Sequence, residues 1–502
     1  MLKRICLPLL VLALLAPASA SAELQTAGQY GVGTPVPGNG GVVTPFGVAV
    51  SPDGTVLTAD ISVSRVEVFG QDGRFLRAIG SDVSYSGGTG PEVCVTDCRA
   101  GTPTTEAGGE LITPYGIAAG ADEFYVSETG VARVAAFSYD GKFIRAIGKD
   151  VGGPGVNVCT TSCTKGTMSA EAGSLAAPGG LALDSSGNLY ATDLGLKRVN
   201  VVDPKTGQFI RAFGKDVGGP GVNVCTNACG VGTDDGSPGS IGSSFGVAAA
   251  AGEIFVSETT NSRISVFGED GIFRRAIGSA GSAAGQLAGP YGVAVDPAAG
   301  NVFVSDTGNN RLTTFGVGGE FRNARGLDVI PGEPLGTEVC TTSCQAGKPE
   351  FSVGAFISPF GAAVDCRGAV YVGMVGRVEK YADPAVRKPP CPSNAFTIGK
   401  VKKNKKKGTA TVTVTLPGPG TLAAALGKKL SAKVPQPQAA GDVKVTVKAA
   451  GKGVKALRKK GKLKGNLKLT FTPPNGDPAT QSKKLTLAKK LKKSKKAKKS
   501  GR

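Results

Sequence analysis

Six times along this chain the same phrase returns: a Pro/Ser-aromatic-Gly opening, an apolar strand, an acidic strand end and an Arg-led second strand. The openings are Pro45-Phe46-Gly47, Pro114-Tyr115-Gly116, Pro178-Gly179-Gly180, Ser244-Phe245-Gly246, Pro290-Tyr291-Gly292 and Pro359-Phe360-Gly361. Self-similarity at a period of roughly 45 to 70 residues, with several short strands and turn glycines in each period, is the signature of a radial array of small sheets. The expected fold is all-β, a six-bladed β-propeller.

The first unit shows the strand pattern. Gly47-Val48-Ala49-Val50 reads as strand a, Ser51-Pro52-Asp53-Gly54 as a turn and Thr55 to Asp60 as strand b. Strand c is Arg65-Val66-Glu67-Val68-Phe69 and strand d runs from Phe75 to Gly80 after the turn Gln71-Asp72-Gly73. An Asp-Gly pair between alternating apolar runs is a strong hairpin signal, and it recurs at Asp140-Gly141 and Asp270-Gly271. The fifth unit carries the fullest form, Val304-Ser305-Asp306-Thr307-Gly308-Asn309-Asn310-Arg311-Leu312 after Pro290-Tyr291-Gly292-Val293-Ala294-Val295-Asp296. These residues resemble the NHL repeat family, and the resemblance, spanning roughly Ala27 to Tyr381, implies six-bladed propellers.

The sixth unit lacks strand d: after Arg377-Val378-Glu379-Lys380-Tyr381 nothing strand-like precedes Pro384. Ala27-Gly28-Gln29-Tyr30-Gly31 precedes the first opening as a fourth strand precedes each later one, so this segment is expected to complete the sixth blade and close the ring. The strand-b acids Asp60, Glu128, Asp193, Glu258 and Asp306 are each followed by an arginine, Arg65, Arg133, Arg198, Arg263 and Arg311, whereas Gly373 stands in the acid's place before Arg377. A ring of acids invites a cation-site reading. Repeated charge pairs are more often architectural, and each acid is expected to pair with an Arg or a backbone amide inside its own blade.

Four junctions between strand d and the next strand a carry long loops with C-x-x-x-C: Cys94 and Cys98, Cys159 and Cys163, Cys225 and Cys229, Cys340 and Cys344. The second and third loops are near copies, Lys149 to Cys159 against Lys215 to Cys225, which points to duplication, while the junction from Gly278 to Pro290 is short. The spacing lacks the partner pattern of a zinc site, and the chain has no His, the commonest zinc ligand. Apart from Cys6 in the expected signal, the number of cysteines is even, which in an exported chain favours disulfides, each stapling its own loop, with Cys366 and Cys391 paired as a clasp on the exit segment. In a propeller the d-to-a junctions and b-to-c loops share one face, so the four loops form one rim, either a built binding surface or decorative expansion.

Charge divides the chain. Residues 396–502 hold 30 Lys and Arg against only Asp442 and Asp477, net +28, which leaves 28 basic and 36 acidic residues, net −8, for the rest. Within the basic part, Thr409 to Leu416, Asp442 to Lys448, Asn466 to Phe471 and Lys484 to Leu487 alternate apolar residues with Thr or Lys, the period of half-buried strands. A small β-sandwich is expected over 396–488, resembling the Lys-rich Ig-like domains appended to secreted actinobacterial proteins. A Pro-rich linker over 384–395 and a disordered polybasic tail over 489–502 flank it, and the propeller takes 23–383.

Residues 1–22 read as a secretory signal: Lys3 and Arg4, an apolar stretch from Leu7 to Leu15, and Ala18-Ser19-Ala20 before the cut, with Cys6 leaving alongside. No second apolar stretch approaches the length of about 20 residues that a spanning helix needs. The expected location is therefore extracellular or at the cell envelope. A surface with this excess of Lys binds polyanions with strong salt dependence, or serves only to solubilise. Phe396 and Phe471 are the segment's only aromatics, so base stacking is poorly served, and anionic wall polymers or lipid headgroups are the expected partners instead of specific nucleic acid.

No residue set argues for catalysis. The leading expectation is a non-enzymatic, monomeric binding scaffold for a protein or glycan, with no cofactor. The rival is an extracellular propeller hydrolase or lyase of lactonase or esterase type. Related lyases hold zinc through His and related lactonases pair a calcium with His, so the absence of His leaves only a carboxylate-bound calcium open. An intracellular RNA-binding propeller conflicts with the signal sequence.

Overall fold

The computed structural model describes residues 24–31, 38–88, 90–103, 107–383, 396–416, 421–434, 441–472 and 479–490. The expected signal sequence, Pro-rich linker, Cys391 and nearly all of the polybasic tail lie outside them.

Short apolar strands and turn glycines build six antiparallel sheets. In blade one, Pro45–Val50, Val56–Asp60, Arg65–Phe69 and Phe75–Ser81 pair in sequence order, and the same order recurs in blades two to five. The two middle strands are buried throughout, as fits sheets covered on both faces by neighbouring blades. Apolar side chains fill each seam. Leu57 and Val66 of blade one meet Ile117, Phe124 and Phe137 of blade two, and Tyr190 and Phe213 of blade three meet Val256 and Phe267 of blade four.

Blade six comprises Ala362–Val364, Val370–Met374 and Arg377–Ala382, with Gln25–Tyr30 as its outer strand. The N-terminal strand pairs antiparallel with the last propeller strand, Gln25 opposite Ala382 and Tyr30 opposite Val378. Tyr30 is 2% exposed and packs between Phe69 of blade one and Tyr371 of blade six, at ring centroid distances of 5.9 and 5.8 Å. Its hydroxyl donates to the Gln71 carbonyl, which ties the two blades at the seam.

The cysteine loops do more than join blades. Each turns back and adds a fifth strand outside strand d: Pro91–Cys94, Val158–Cys159, Val224–Cys225 and Thr337–Cys340. Blades four and six stay four-stranded. At the short junction after blade four, Ser279–Ala280 and Gln286–Leu287 pair with each other instead.

The described residues between 396 and 490 form a β-sandwich. One sheet holds Thr397–Asn404, Thr409–Leu416, Gly441–Ala449 and Leu430–Lys433, the other Thr421–Leu426, Lys462–Thr472 and Ala479–Ala488. Val412, Val414, Val445, Val447, Leu467 and Leu469 meet between the sheets, and the lysines of the same strands face outward. A helix, Lys452–Lys460, lies between two strands where no helix was anticipated. It buries Leu457, stops at the left-handed Gly461 and carries Arg458, Lys459 and Lys460 in its last turn, where cations oppose the negative end of the dipole.

Candidate functional site

The site begins with the six arginines. In the five blades with a strand-b acid, that acid stands directly opposite its arginine: Asp60 and Arg65, Glu128 and Arg133, Asp193 and Arg198, Glu258 and Arg263, Asp306 and Arg311. Three of these pairs are ion pairs, Glu128–Arg133 at 2.7 Å, Glu258–Arg263 at 3.1 Å and Asp306–Arg311 at 2.8 Å.

In the other two the acid takes the second of the expected partners, backbone amides of its own blade, and forms no ion pair with its arginine. In blade one the Arg65 Nε donates to Glu67 at 2.7 Å, because Glu67 lies two residues along the same strand and shares its face. Asp60 instead accepts the backbone amides of Val43, Thr44 and Ser62. In blade three Asp193 accepts the amides of Ala176, Ala177 and Leu196, and the Arg198 Nε has no partner in the structure. Blade six departs from the sequence reading: Met374, not Gly373, stands opposite Arg377, and the acid comes from Glu379, as Glu67 serves in blade one.

What the arginines share is their grip on loop carbonyls. The Nη1 of Arg65, Arg133, Arg198 and Arg311 donates to Arg99, Thr164, Gly230 and Gln345 respectively. Each acceptor is the residue just after the second cysteine of a stapled loop. The remaining donors hold the loop entering the same blade, as in Arg65 to Gly38 and Gly41 and Arg311 to Ala283 and Gln286. These four arginines have no exposed surface, while Arg263 and Arg377, whose blades are followed by no such loop, are exposed by 14 and 5%. Charge-assisted bonds from the buried guanidinium groups to these carbonyls fix the loops to their blades.

The disulfides fix them from outside. Cys94–Cys98, Cys159–Cys163, Cys225–Cys229 and Cys340–Cys344 are bonded, with Cα–Cα distances of 5.6, 5.4, 5.4 and 5.6 Å. The first packs on Ala78 and Val83, the second on Ala146 and Val151. Cys366 is also disulfide-bonded, and its expected partner Cys391 lies outside the described residues.

The loops so held are 82–113, 148–177, 214–243 and 328–358. They carry ten of the eleven exposed large apolar residues among those described, Ile272 being the exception. Tyr85 is 65% exposed, Leu335 63% and Phe351 67%. Their described residues include thirteen acids and five bases, so apolar knobs stand in an acidic field. Surface loops held on a rigid scaffold are where binding residues are most often found.

At the centre of the same face, Phe46, Tyr115, Phe245 and Tyr291 close on the axis, and Phe360 packs against Phe46 and Tyr291. Neighbouring rings lie 4.3 to 5.7 Å apart, and Tyr115 reaches Phe245 at 5.5 Å across blade three, which offers Gly179. Beneath them is a space of ≈ 40 Å³ lined by glycines, aliphatic residues and the rings. The sequence showed the repeated aromatic, but its convergence on the axis was missed. None of the five strand-b acids lines this opening; all lie inside the blades with no exposed surface. Burial raises the carboxyls of Asp60, Glu128, Asp193 and Asp306 above their ordinary values. Glu67, wholly buried and beside Asp60, is pushed up to about 7.

The sandwich carries a second feature, a cleft of ≈ 690 Å³ with Val401 and Leu485 among its apolar lining and Lys403, Lys464 and Lys484 around them. Among the described residues no helix is long and apolar enough to cross a membrane. Four disulfides fit an oxidising compartment.

The geometry defines a β-propeller with a fortified rim, and residues 240–345 match a family described as a 6-bladed beta-propeller. No curated protein matches the chain by sequence. Several solved structures are similar. A virginiamycin B lyase from Staphylococcus aureus shares 13% identity at TM-score 0.36, over 72% of this chain and 99% of that one. A gluconolactonase from Xanthomonas campestris shares 12% at 0.39, over 72 and 99%. A protein of unknown function from Bacteroides thetaiotaomicron shares 16% at 0.42, over 72 and 75%.

Proposed function

We propose that this chain is an exported, non-enzymatic binding protein whose stapled rim contacts a protein or glycan and whose Lys-rich sandwich holds it against anionic polymers of the cell envelope. The observation that carries the reading is the concentration of exposed apolar residues on four loops, each fixed by a disulfide and a buried arginine. Rigid presentation lowers the ordering cost of binding. The sandwich supplies the retention: its lysines face outward from both sheets, and three of them line one cleft. No specific nucleic acid is required by this reading, and no cofactor.

Retention of the full chain in the envelope fraction tests it. Replacing Lys403, Lys464 and Lys484 with Gln is expected to release the protein at lower salt, because each lost phosphate or carboxylate contact reduces the salt slope by about one. Retention unchanged by the three substitutions rejects the anchoring role. The rival, a lactone- or ester-cleaving propeller with calcium held by carboxylates, predicts stoichiometric calcium and turnover of such substrates, and those two results together overturn the non-enzymatic reading.

A further inference from the structure

The blade-five loop and the sandwich cleft are complementary. On the loop, Leu335 stands between Glu333 and Glu338, and Phe351 follows Glu350; Leu335, Phe351, Glu333 and Glu350 are all exposed. The cleft inverts this pattern, with Val401 and Leu485 in its apolar lining and Lys403, Lys464 and Lys484 around them. Apolar residues flanked by the exposed Glu333 and Glu350 meet an apolar hollow flanked by ammonium groups, so burial and charge favour the same pairing.

The topology favours an intermolecular contact. The last propeller strand, Arg377–Ala382, begins at the b-to-c turn on the rim face and ends on the opposite face. The sandwich is therefore tethered away from its own rim. A second molecule offers its cleft without that constraint. A contact between two different surfaces of identical chains leaves one of each surface free at the ends and repeats from molecule to molecule, as an open chain unless the rotation between copies closes a ring.

We propose that the blade-five loop of one molecule seats in the lysine-lined cleft of a second copy, giving open head-to-tail assembly in place of the monomer expected from the sequence. This rests on reading the stapled rim as a contact surface, and it names the partner.

Sedimentation velocity on the full chain tests it. At about 50 mM salt the weight-average mass is expected to rise at least about twofold with concentration, without a plateau, and to return to one chain at about 500 mM, where the Debye length falls to roughly 4 Å. A rim variant (Glu333→Lys, Leu335→Ser, Glu350→Lys) and a cleft variant (Lys403→Glu, Lys464→Glu, Lys484→Glu) should each be monomeric alone. Mixed, they should form a dimer and stop there, because the cleft variant keeps an intact rim and the rim variant keeps an intact cleft. That arm also shows that both variants fold. A monomeric wild-type chain at low salt, assembly surviving in either variant, or a mixture that stays monomeric overturns the second copy as occupant. The rim variant keeps its cleft lysines, so its envelope retention reports separately on the anchoring role.

Discussion

At the scale of single residues, the repeat's most regular member is explained by closure. A Cβ on Gly246 would lie 2.3 Å from the carbonyl oxygen of Tyr291, and one on Gly292 would lie 2.2 Å from that of Phe360. The same clash, always with the following blade, recurs at Gly47, Gly116, Gly180 and Gly361. Only glycine lets successive inner strands approach this closely. Glu67 is the other telling residue. Its carboxyl titrates near 7 in the fold against 4.5 as the ordinary value, so between those values the folded state holds a proton that the unfolded chain has released. Stability contributed by that proton is present below about pH 4.5 and is lost as pH rises through 7. Glu67→Gln should flatten the fall in Tm between about pH 5 and 8 while leaving the low-pH Tm within a few degrees. Equal slopes for the two proteins would remove Glu67 as the titrating group.

At the scale of elements, the stapled loops combine two constraints of different strength. A disulfide closing so short a ring removes little entropy from the unfolded chain, whereas stripping a buried guanidinium of its partners costs about 3–5 kcal/mol. Reduction is therefore expected to open the rim without melting the propeller. Under reducing conditions, proteolysis within 148–177 and 214–243 should accelerate several-fold while the main thermal transition moves by only a few degrees. Collapse of the whole transition on reduction would contradict this division of labour. The four pairs were legible from their separation of four residues and the export context. The fifth strands were not, since Val158–Cys159 and Val224–Cys225 are two residues each and carry no periodicity to read. The sandwich helix escaped for a related reason: its Lys-rich run looks like any charged segment until Leu457 has a core to enter.

At the scale of the whole molecule, one strand holds the ring shut. Tyr30 closes the seam between the first and last blades, so Tyr30→Ala should cost about 3–5 kcal/mol, the usual range for losing a buried aromatic ring. Hydrogen exchange should then quicken first in 45–81 and 362–382, the two blades it joins, with blades three and four protected until global unfolding. Uniform acceleration around the ring would mean that closure is shared equally by all seams. The sequence alone determined the number of blades, the strands within them, the cysteine pairs within the loops and the segregation of charge, because alternation, turn chemistry and spacing act between neighbours in the chain. Tertiary structure alone decided that Arg65 prefers Glu67 to Asp60, that four arginines reach the residue after each second cysteine, and that the repeated aromatics meet on the axis. The loop contacts join groups 34 residues apart in Arg65 and Arg99 and 31 apart in Arg133 and Thr164, the rings come from different blades, and the arginine that could reach either acid chooses among all its acceptors, so each outcome is settled only once the blades have closed into a ring.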